Sequence, residues 1–411
     1  MATSVAVDSS LPSQPPHPLR ERNFRMLWAG SAVSLFGDQF YLVALPWVVL
    51  QLTGSAVAVG TILMATAIPR AVLMLIGGAV TDRVSPRKIL MSTASARTLF
   101  VAAIGLLLWY HVLHVWELYV LGFAFGVADA FSMPAFSTYL PSLVRSEQLV
   151  AANSVFQTTA QLATIGGPAP AALVIKALGL AWAFFVDAVS FLFIIAALWW
   201  LPDPPAPQTV TRRPPVGKAI LEGITSIRHD VPLRSLIVLA AILNLCIAGP
   251  MGVGLPYLAK TRFGSPTAYA LLVSAAAAGG LLGALVAGIW RVRRRGVLLL
   301  CACVVISLCL GSIALPRHLW LIAGVLLLMA ASAGLANVNI AAWIQQRVDP
   351  AMRGRVMSVL MLAGFGLFPV SLAAAGFLVA WNVQWTFLLA GTAMLLITGF
   401  GALQKQVRDI Q

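Results

Sequence analysis

Acidic residues are scarce in this chain, with 13 Asp and Glu among 411 residues against 27 Lys and Arg. All charged residues together make up only 10% of the sequence, whereas hydrophobic residues make up 60%. Soluble domains carry about 25% charged residues. A soluble chain could not cover so large an apolar core with so few charges, so the composition predicts an all-α polytopic membrane protein.

Cysteine and histidine are too few and too scattered to suggest a metal site or a disulfide framework. The four cysteines lie inside apolar runs, and the five histidines lie in predicted loops or near the N-terminus. The sequence also lacks a Gly-rich phosphate loop of the Walker type and any nucleophile–base arrangement. We therefore expect no metal, no cofactor, no ATP-driven transport and no enzymatic activity.

Long apolar runs are what the chain has in abundance. About 20 apolar residues span a bilayer as a helix, and counting such runs predicts twelve transmembrane helices. The runs are roughly 25–50, 56–80, 89–110, 115–137, 153–176, 180–201, 235–257, 267–290, 297–315, 319–341, 356–379 and 383–403.

Lys and Arg gather in alternate loops between these runs. One side of the membrane receives only Lys176, Lys260, Arg262 and Arg317, while the other side receives most of the remaining basic residues. This bias predicts that both termini lie in the cytoplasm, at the cell membrane. It also accounts for the net charge of +14, so we expect no nucleic-acid partner.

The polar segments divide the chain. Residues 1–21 are rich in Ser and Pro without an apolar core, which predicts a disordered cytoplasmic tail rather than a cleaved signal. We expect a six-helix bundle at 22–201, a Pro-rich cytoplasmic linker with a short amphipathic helix at 202–234, a second six-helix bundle at 235–404 and a tail at 405–411. Basic loops recur at corresponding places in the two halves, which predicts two pseudo-symmetric bundles.

The link between predicted helices 2 and 3 reads Gly-Ala-Val-Thr-Asp-Arg-Val-Ser-Pro-Arg-Lys, residues 78–88. Further segments are Phe-Gly-Asp at 36–38, Phe-Val-Asp-Ala-Val-Ser-Phe at 185–191 and Arg-Gly-Arg-Val at 353–356. With these, the chain resembles the major facilitator superfamily, in particular its drug:proton antiporter branch of bacterial exporters. The antiporter motif of that branch, Gly-Pro-x-x-Gly-Gly in helix 5, is partly kept. This chain has Gly167 and Pro168, but Ala171 and Ala172 replace the two later glycines.

The resemblance implies a cytoplasmic gate in the link between helices 2 and 3. Asp82 would contact the start of helix 11, where a helix N-terminus attracts an anion, and would hold the cytoplasmic side shut. A topology anchor would explain the basic residues there, but not the acid. The candidate gate residues are Gly78, Asp82, Arg83, Arg87, Arg97, Arg353 and Arg355.

Ionisable residues inside the predicted spans are the best functional candidates, because each costs about 2.5–3.5 kcal/mol at a helix centre. They are Asp38, Arg70, Arg97, Asp129 and Asp187. Asp38 and Arg70 lie at similar depths, about 20 and about 18 Å from the cytoplasmic surface at 1.5 Å per residue. We predict that they face a shared cavity, with Asp38 as the proton carrier and Arg70 balancing its charge; the alternative is a static ion pair.

Two further assignments rest on depth. Arg97 and Asp129 could pair and link helices 3 and 4, either as a structural contact or as part of the gate. Asp187 is a candidate for the proton-coupling cavity, but Ser190 one turn later favours a structural polar contact between helices.

Uncharged polar residues complete the candidate site. Gln161, Asn244, Asn337 and Asn339 could line the cavity or form hydrogen bonds between helices. Gly166, Gly167 and Pro168 form the predicted hinge of helix 5, because proline removes a backbone hydrogen bond.

These features together predict a secondary transporter that exports an amphipathic organic molecule by alternating access, driven by inward proton flow. Its expected partners are that small substrate, protons and membrane lipid, and we expect a monomer. One alternative is export of a specific metabolite such as a siderophore or a lipid-like compound. An alternative of another class is a membrane sensor or partner protein that uses the same fold without transport.

Overall fold

The computed structural model describes residues 17–81, 83–204, 231–290, 294–347 and 366–403. These residues form fourteen α-helices and no strand. The first seven helices are α1 (Arg22–Thr53), α2 (Ala56–Thr81), α3 (Pro86–Trp109), α4 (Val115–Tyr139), α5 (Leu149–Gly166), α6 (Pro168–Leu178) and α7 (Leu180–Trp200). The second seven are α8 (Val231–Gly249), α9 (Leu255–Phe263), α10 (Pro266–Ile289), α11 (Arg295–Ser312), α12 (Leu319–Arg347), α13 (Phe368–Trp381) and α14 (Val383–Leu403).

Each of the twelve predicted runs contains helix. The fifth run is divided between α5 and α6, and the seventh contains α8, a π-helical turn at Pro250–Gly254 and the start of α9. Ten helical segments of the described chain are long and apolar enough to cross a membrane, and α6 and α13 are shorter apolar helices. The prediction of an all-α polytopic membrane protein is confirmed.

Several predicted segments lie wholly or largely outside the described residues. These are most of the tail at 1–21, most of the linker at 202–234 and the tail at 405–411. Asp82, Arg353 and Arg355 also lie outside the described residues. The domain boundaries therefore stay predictions.

The two ends of the spans are named here by their charges. The basic face is the end where α1 begins and where Arg83 links α2 to α3; the opposite face is the end where α1 finishes and α2 begins. Each half packs mainly within itself, with α1 and α3 against α7 and α2 against α4 in the first, and α10 against α12 and α11 against α14 in the second.

Missing side chains allow a close approach of helices in each half. A Cβ atom on Gly37 of α1 would collide with Ser190 of α7, and one on Gly283 of α10 would collide with the carbonyl of Ala331 on α12. Small residues serve membrane helices in this way, because they let two backbones meet.

Contacts between the halves include several near the opposite face. Gly60 of α2 lies against Leu372 and Gly376 of α13, and a Cβ atom on Gly376 would come within 3.2 Å of the Ala56 carbonyl. The ammonium of Lys260 on α9 donates a hydrogen bond to the carbonyl of Leu50 near the end of α1. The two halves are therefore joined at the opposite face by backbone packing and by a hydrogen bond.

Candidate functional site

Four charged side chains from four helices form a connected cluster inside the first half. Arg97 on α3 donates from Nη2 to Oδ1 of Asp38 on α1, at 2.5 Å. The other guanidinium terminus of Arg97 lies 3.7 Å from Oδ1 of Asp129 on α4. The second oxygen of Asp129 lies 3.2 Å from Nε of Arg70 on α2. The order Asp38–Arg97–Asp129–Arg70 alternates charge, so each carboxylate has a guanidinium beside it.

Aromatic rings hold Arg97 at the centre of this charged cluster. Its guanidinium lies over the rings of Phe191 and Phe125, 4.3 and 4.8 Å from their centroids. Aromatic faces attract cations, most strongly when the cation is desolvated. Arg97 thus lies in a low-dielectric environment, within reach of carboxylates on two different helices.

The structure rearranges the predicted pairs. The contact between Arg97 and Asp129 is present, but the shorter hydrogen bond of Arg97 goes to Asp38. Arg70, predicted to balance Asp38, forms its salt bridge with Asp129. Depth along a helix follows from the rise per residue, whereas the direction of a side chain around the helix axis depends on packing, and packing turns Arg97 towards α1.

Exposure is greatest at the Arg70 end of the cluster and lowest at Arg97. The side chain of Arg70 is 48% exposed, those of Asp38 and Asp129 are 26% and 18% exposed, and that of Arg97 is 14% exposed. A guanidinium half-exposed about 16 Å from the end of its helix would be very costly in lipid and is found beside water-filled cavities. Arg70 therefore marks the wet edge of the cluster.

Asp187 lies next to the α1 backbone beside Asp38, on the fully buried side of the cluster, which is called its dry side. Its residue is 0% exposed, its Oδ1 accepts a 3.4 Å hydrogen bond from the hydroxyl of Ser190, and its Oδ2 has no hydrogen-bond partner in the described structure. The absence of a side chain on Gly37 lets Asp187 approach the α1 backbone immediately beside Asp38. The predicted polar contact with Ser190 is present, and it leaves the second carboxyl oxygen, Oδ2, without a hydrogen bond.

Tyr41 was missed at the sequence level. It is buried one turn after Asp38, its ring stacks on Phe125 at 4.6 Å and meets the edge of Phe184 at 6.0 Å, and its hydroxyl has no partner among the described residues. The spacing of three residues from Asp38 could have signalled a shared helix face.

The polar face of α5 was only partly recognised. Gln161 donates from Nε2 to the carbonyl of Ala277 on α10, at 3.1 Å, and so connects the two halves. Towards the basic face, the helix exposes further polar side chains at helical spacing. They are Asn153, Ser154, Gln157 and Thr158.

The predicted asparagines lie in different surroundings. Asn244 on α8 and Asn337 on α12 are exposed, whereas Asn339 is partly buried. Asn339 donates to the carbonyl of Leu335 in its own helix and lines a small recess beside Arg295 and Trp343. Asn244 and Asn337 keep their predicted role at a cavity, which no contact in the structure tests.

Of the gate candidates in the link between α2 and α3, the structure describes Gly78, Arg83 and Arg87. Gly78 lies in α2, and Arg83 is exposed in the turn that follows it. Arg87 donates to the carbonyls of Leu198 and Trp199 at the end of α7, at 2.7 and 2.9 Å. This contact fastens α3 to α7 within one half, so the gate role of Arg87 stays a prediction.

The predicted hinge coincides with the boundary between α5 and α6. Gly166 ends α5 and Pro168 begins α6, while Gly167 keeps helical dihedral angles and packs against Gln39 of α1. Proline has no N–H to donate, so Pro168 interrupts the helical hydrogen bonds here.

Known proteins resemble this chain over nearly its whole length. The family model described as transmembrane secretion effector matches residues 13–411. The multidrug efflux pump Tap of Mycolicibacterium fortuitum is 30% identical over 403 residues, which cover 94% of this chain and 95% of that protein. Macrolide efflux protein A of Streptococcus pyogenes is 25% identical over 398 residues, covering 94% and 97%.

Solved structures show the same fold at low identity. The nucleoside transporter NupG superposes with a TM-score of 0.73 at 11% identity, covering 93% of this chain and 99% of that one. A bacterial homologue of the iron transporter ferroportin, in an inward-facing state, gives a TM-score of 0.69 at 16% identity, with coverage of 93% and 99%. Since the family model and the relatives span nearly all of the sequence, the chain belongs to the transmembrane secretion effector family, within the major facilitator superfamily of membrane transporters.

Proposed function

We propose that this protein exports small amphipathic organic molecules across the cell membrane in exchange for protons, with its basic face and both termini in the cytoplasm. The observation that carries the proposal is the cluster Asp38–Arg97–Asp129–Arg70 in the middle of the membrane-spanning region. A scaffold or sensor has little need for such charges, because intramembrane ionisable residues are expensive and mark ion or substrate pathways.

Asp38 is the proposed proton carrier. It is a quarter exposed, so it can exchange a proton with the cavity, and it accepts a hydrogen bond from Arg97. Protonation removes the negative charge that holds Arg97, and a released guanidinium in a low-dielectric site must find another anion. Proton binding at one carboxyl is thereby converted into movement between α1 and α3.

The contacts between the halves support alternating access. The opposite face is joined by the Gly60–Gly376 packing and by the hydrogen bond from Lys260 to Leu50. The exposed polar residues of α5 lie nearer the basic face. We infer a state closed towards the outside, in which substrate enters from the cytoplasm along α5.

The names of the relatives support the substrate class. They are a multidrug pump and a macrolide pump, and a cavity with few charges suits large, mostly apolar ligands. Export of one specific metabolite is the alternative, and the same assay separates the two. We propose a monomer in contact with membrane lipid.

The test uses the full-length protein in proteoliposomes with an imposed pH gradient and a panel of macrolides, lipophilic cations and siderophores. We expect substrate-triggered proton release that is lost in Asp38→Asn. A response to a single compound indicates a dedicated exporter. Unchanged coupling in Asp38→Asn removes the assigned role of that residue, and binding without any proton or substrate flux favours a sensor.

A further inference from the structure

The charges inside the first half do not balance. Asp38, Asp129 and Asp187 supply three carboxyl groups in the middle of the spans, whereas Arg70 and Arg97 supply two guanidinium groups. Asp38 and Asp129 each have a guanidinium within 3.2 Å. Asp187 is 0% exposed, and within hydrogen-bond reach the structure gives it only the Ser190 side chain. A buried, unpaired carboxylate takes up a proton in preference to remaining ionised.

Among the described residues, the helices packed against α7 offer Asp187 a single cation at its depth. The helices packed against α7 are α1, α3 and α6. At this depth α1 presents Asp38 and Tyr41, and α3 presents Arg97; the titratable residue of α6 is Lys176, exposed close to the opposite face. Arg97 is thus the cation that could serve Asp187, and in this conformation its hydrogen bond goes to Asp38.

Three buried polar atoms in this region have no hydrogen-bond partner among the described residues. They are Nε of Arg97, Oδ2 of Asp187 and the hydroxyl of Tyr41. The guanidinium already lies over Phe191, one turn from Asp187 on the same helix. Buried donors and acceptors without partners are rare in folded proteins, and each calls for an explanation.

We propose that Asp187 is a second proton-binding site, protonated while Arg97 is bonded to Asp38, and that Arg97 moves to Asp187 when Asp38 takes the proton. In this step the O–H bond on Asp187 breaks and one O–H bond forms on Asp38, so the number of protons and the net charge of the cluster are unchanged. We assign the relay of the proton to the buried hydroxyl of Tyr41, which has no partner in the described structure and belongs to a side chain one turn from Asp38 that packs against Phe184 of α7. Until this step occurs, the transported proton is stored on Asp187, on the dry side of the cluster.

This inference rests on the proposed proton coupling, but its first test does not depend on transport. The reconstituted full-length protein is studied by infrared spectroscopy, in which a protonated carboxylic acid has its own carbonyl band. At neutral pH we expect that band in the wild type and its loss in Asp187→Asn. Asp38→Asn should lose the band as well, because the neutral amide at position 38 releases Arg97 to Asp187, which then ionises. An unchanged spectrum of Asp187→Asn overturns the assignment.

Ser190→Ala provides a second variant in case Asp187→Asn does not fold. Removing the hydroxyl that bonds the Asp187 carboxyl shifts the frequency of the band if Asp187 is its source. No shift contradicts the proposal. The variant leaves all five ionisable residues in place.

Transport then separates proton storage from a structural role. We expect Asp187→Asn to keep substrate counterflow, which needs no net proton movement, and to lose accumulation driven by a pH gradient. Accumulation equal to wild type overturns the storage role, as does parallel loss of both activities with a lowered unfolding temperature. If the wild type itself ignores the gradient while the infrared band is present, the proposed function fails and the protonation of Asp187 stands.

Discussion

The two halves of the molecule have similar arrangements of helices, but they differ in the charged residues of their interiors. The first half holds two arginines and three aspartates in the middle of its spans, whereas the described residues of α8–α14 contain no Asp or Glu. The basic residues of α9, Lys260 and Arg262, lie near the opposite face and bond to backbone carbonyls. Under the proposed function, this difference assigns the proton chemistry to the first half and leaves the second half as the surface against which the first half would move.

The largest difference between the halves is expected for their arginines. Arg97→Gln leaves Asp38 and Asp129 without their shared cation, and breaking a buried ion pair costs about 3–5 kcal/mol. Arg262→Gln is the matched change in the second half and removes two part-buried hydrogen bonds to carbonyls. Because water can replace them, we expect each to contribute only about 0.5–1.5 kcal/mol. Thermal unfolding in detergent measures both. Equal destabilisation would show that the charged cluster has no special energetic role.

The close packing between the halves provides the next test. In Gly60→Val the added side chain meets the backbone of α13, and overpacking costs about 1–3 kcal/mol. We expect the opposite face to open, measured by labelling of a cysteine introduced nearby. Gly324→Val on α12, where nothing lies within 4 Å, is the control. Labelling that rises equally in both variants would contradict the role of the α2–α13 contact.

A smaller effect is expected for the hydrogen bond that joins α9 to α1. Lys260→Met keeps the length of the side chain but cannot donate to Leu50. A hydrogen bond contributes about 0.5–1.5 kcal/mol net, so the population open at the opposite face should rise about 2- to 12-fold. The same labelling assay measures this change, and no change would mean that backbone packing alone closes this face.

The smallest effect is expected at Gln161. Hydrogen bonds between membrane helices average about 0.6 kcal/mol, so Gln161→Ala should change the balance between conformations by no more than about threefold. Substrate counterflow measures the consequence. A complete loss of counterflow would instead indicate that Gln161 binds substrate directly.

Much of this arrangement could be predicted from residue order. The apolar runs determine the helices, because about 20 residues must satisfy their own backbone hydrogen bonds in lipid. The level of each charge follows from its distance along the helix, so Asp38, Arg70, Arg97 and Asp129 were correctly placed inside the spans. The interruption of helix 5 follows from Pro168.

The partners of those charges were decided only by the tertiary structure. Depth does not give the direction of a side chain around its helix, and that direction depends on which neighbour packs closely. Gly37 brings α7 against α1, Phe125 and Phe191 seat the guanidinium of Arg97, and Arg97 therefore meets Asp38 while Asp187 stays without a cation. The sequence by itself determined which segments form long apolar helices and which charges they carry. Packing between helices decided which charges meet, because contact depends on atoms far apart in the chain.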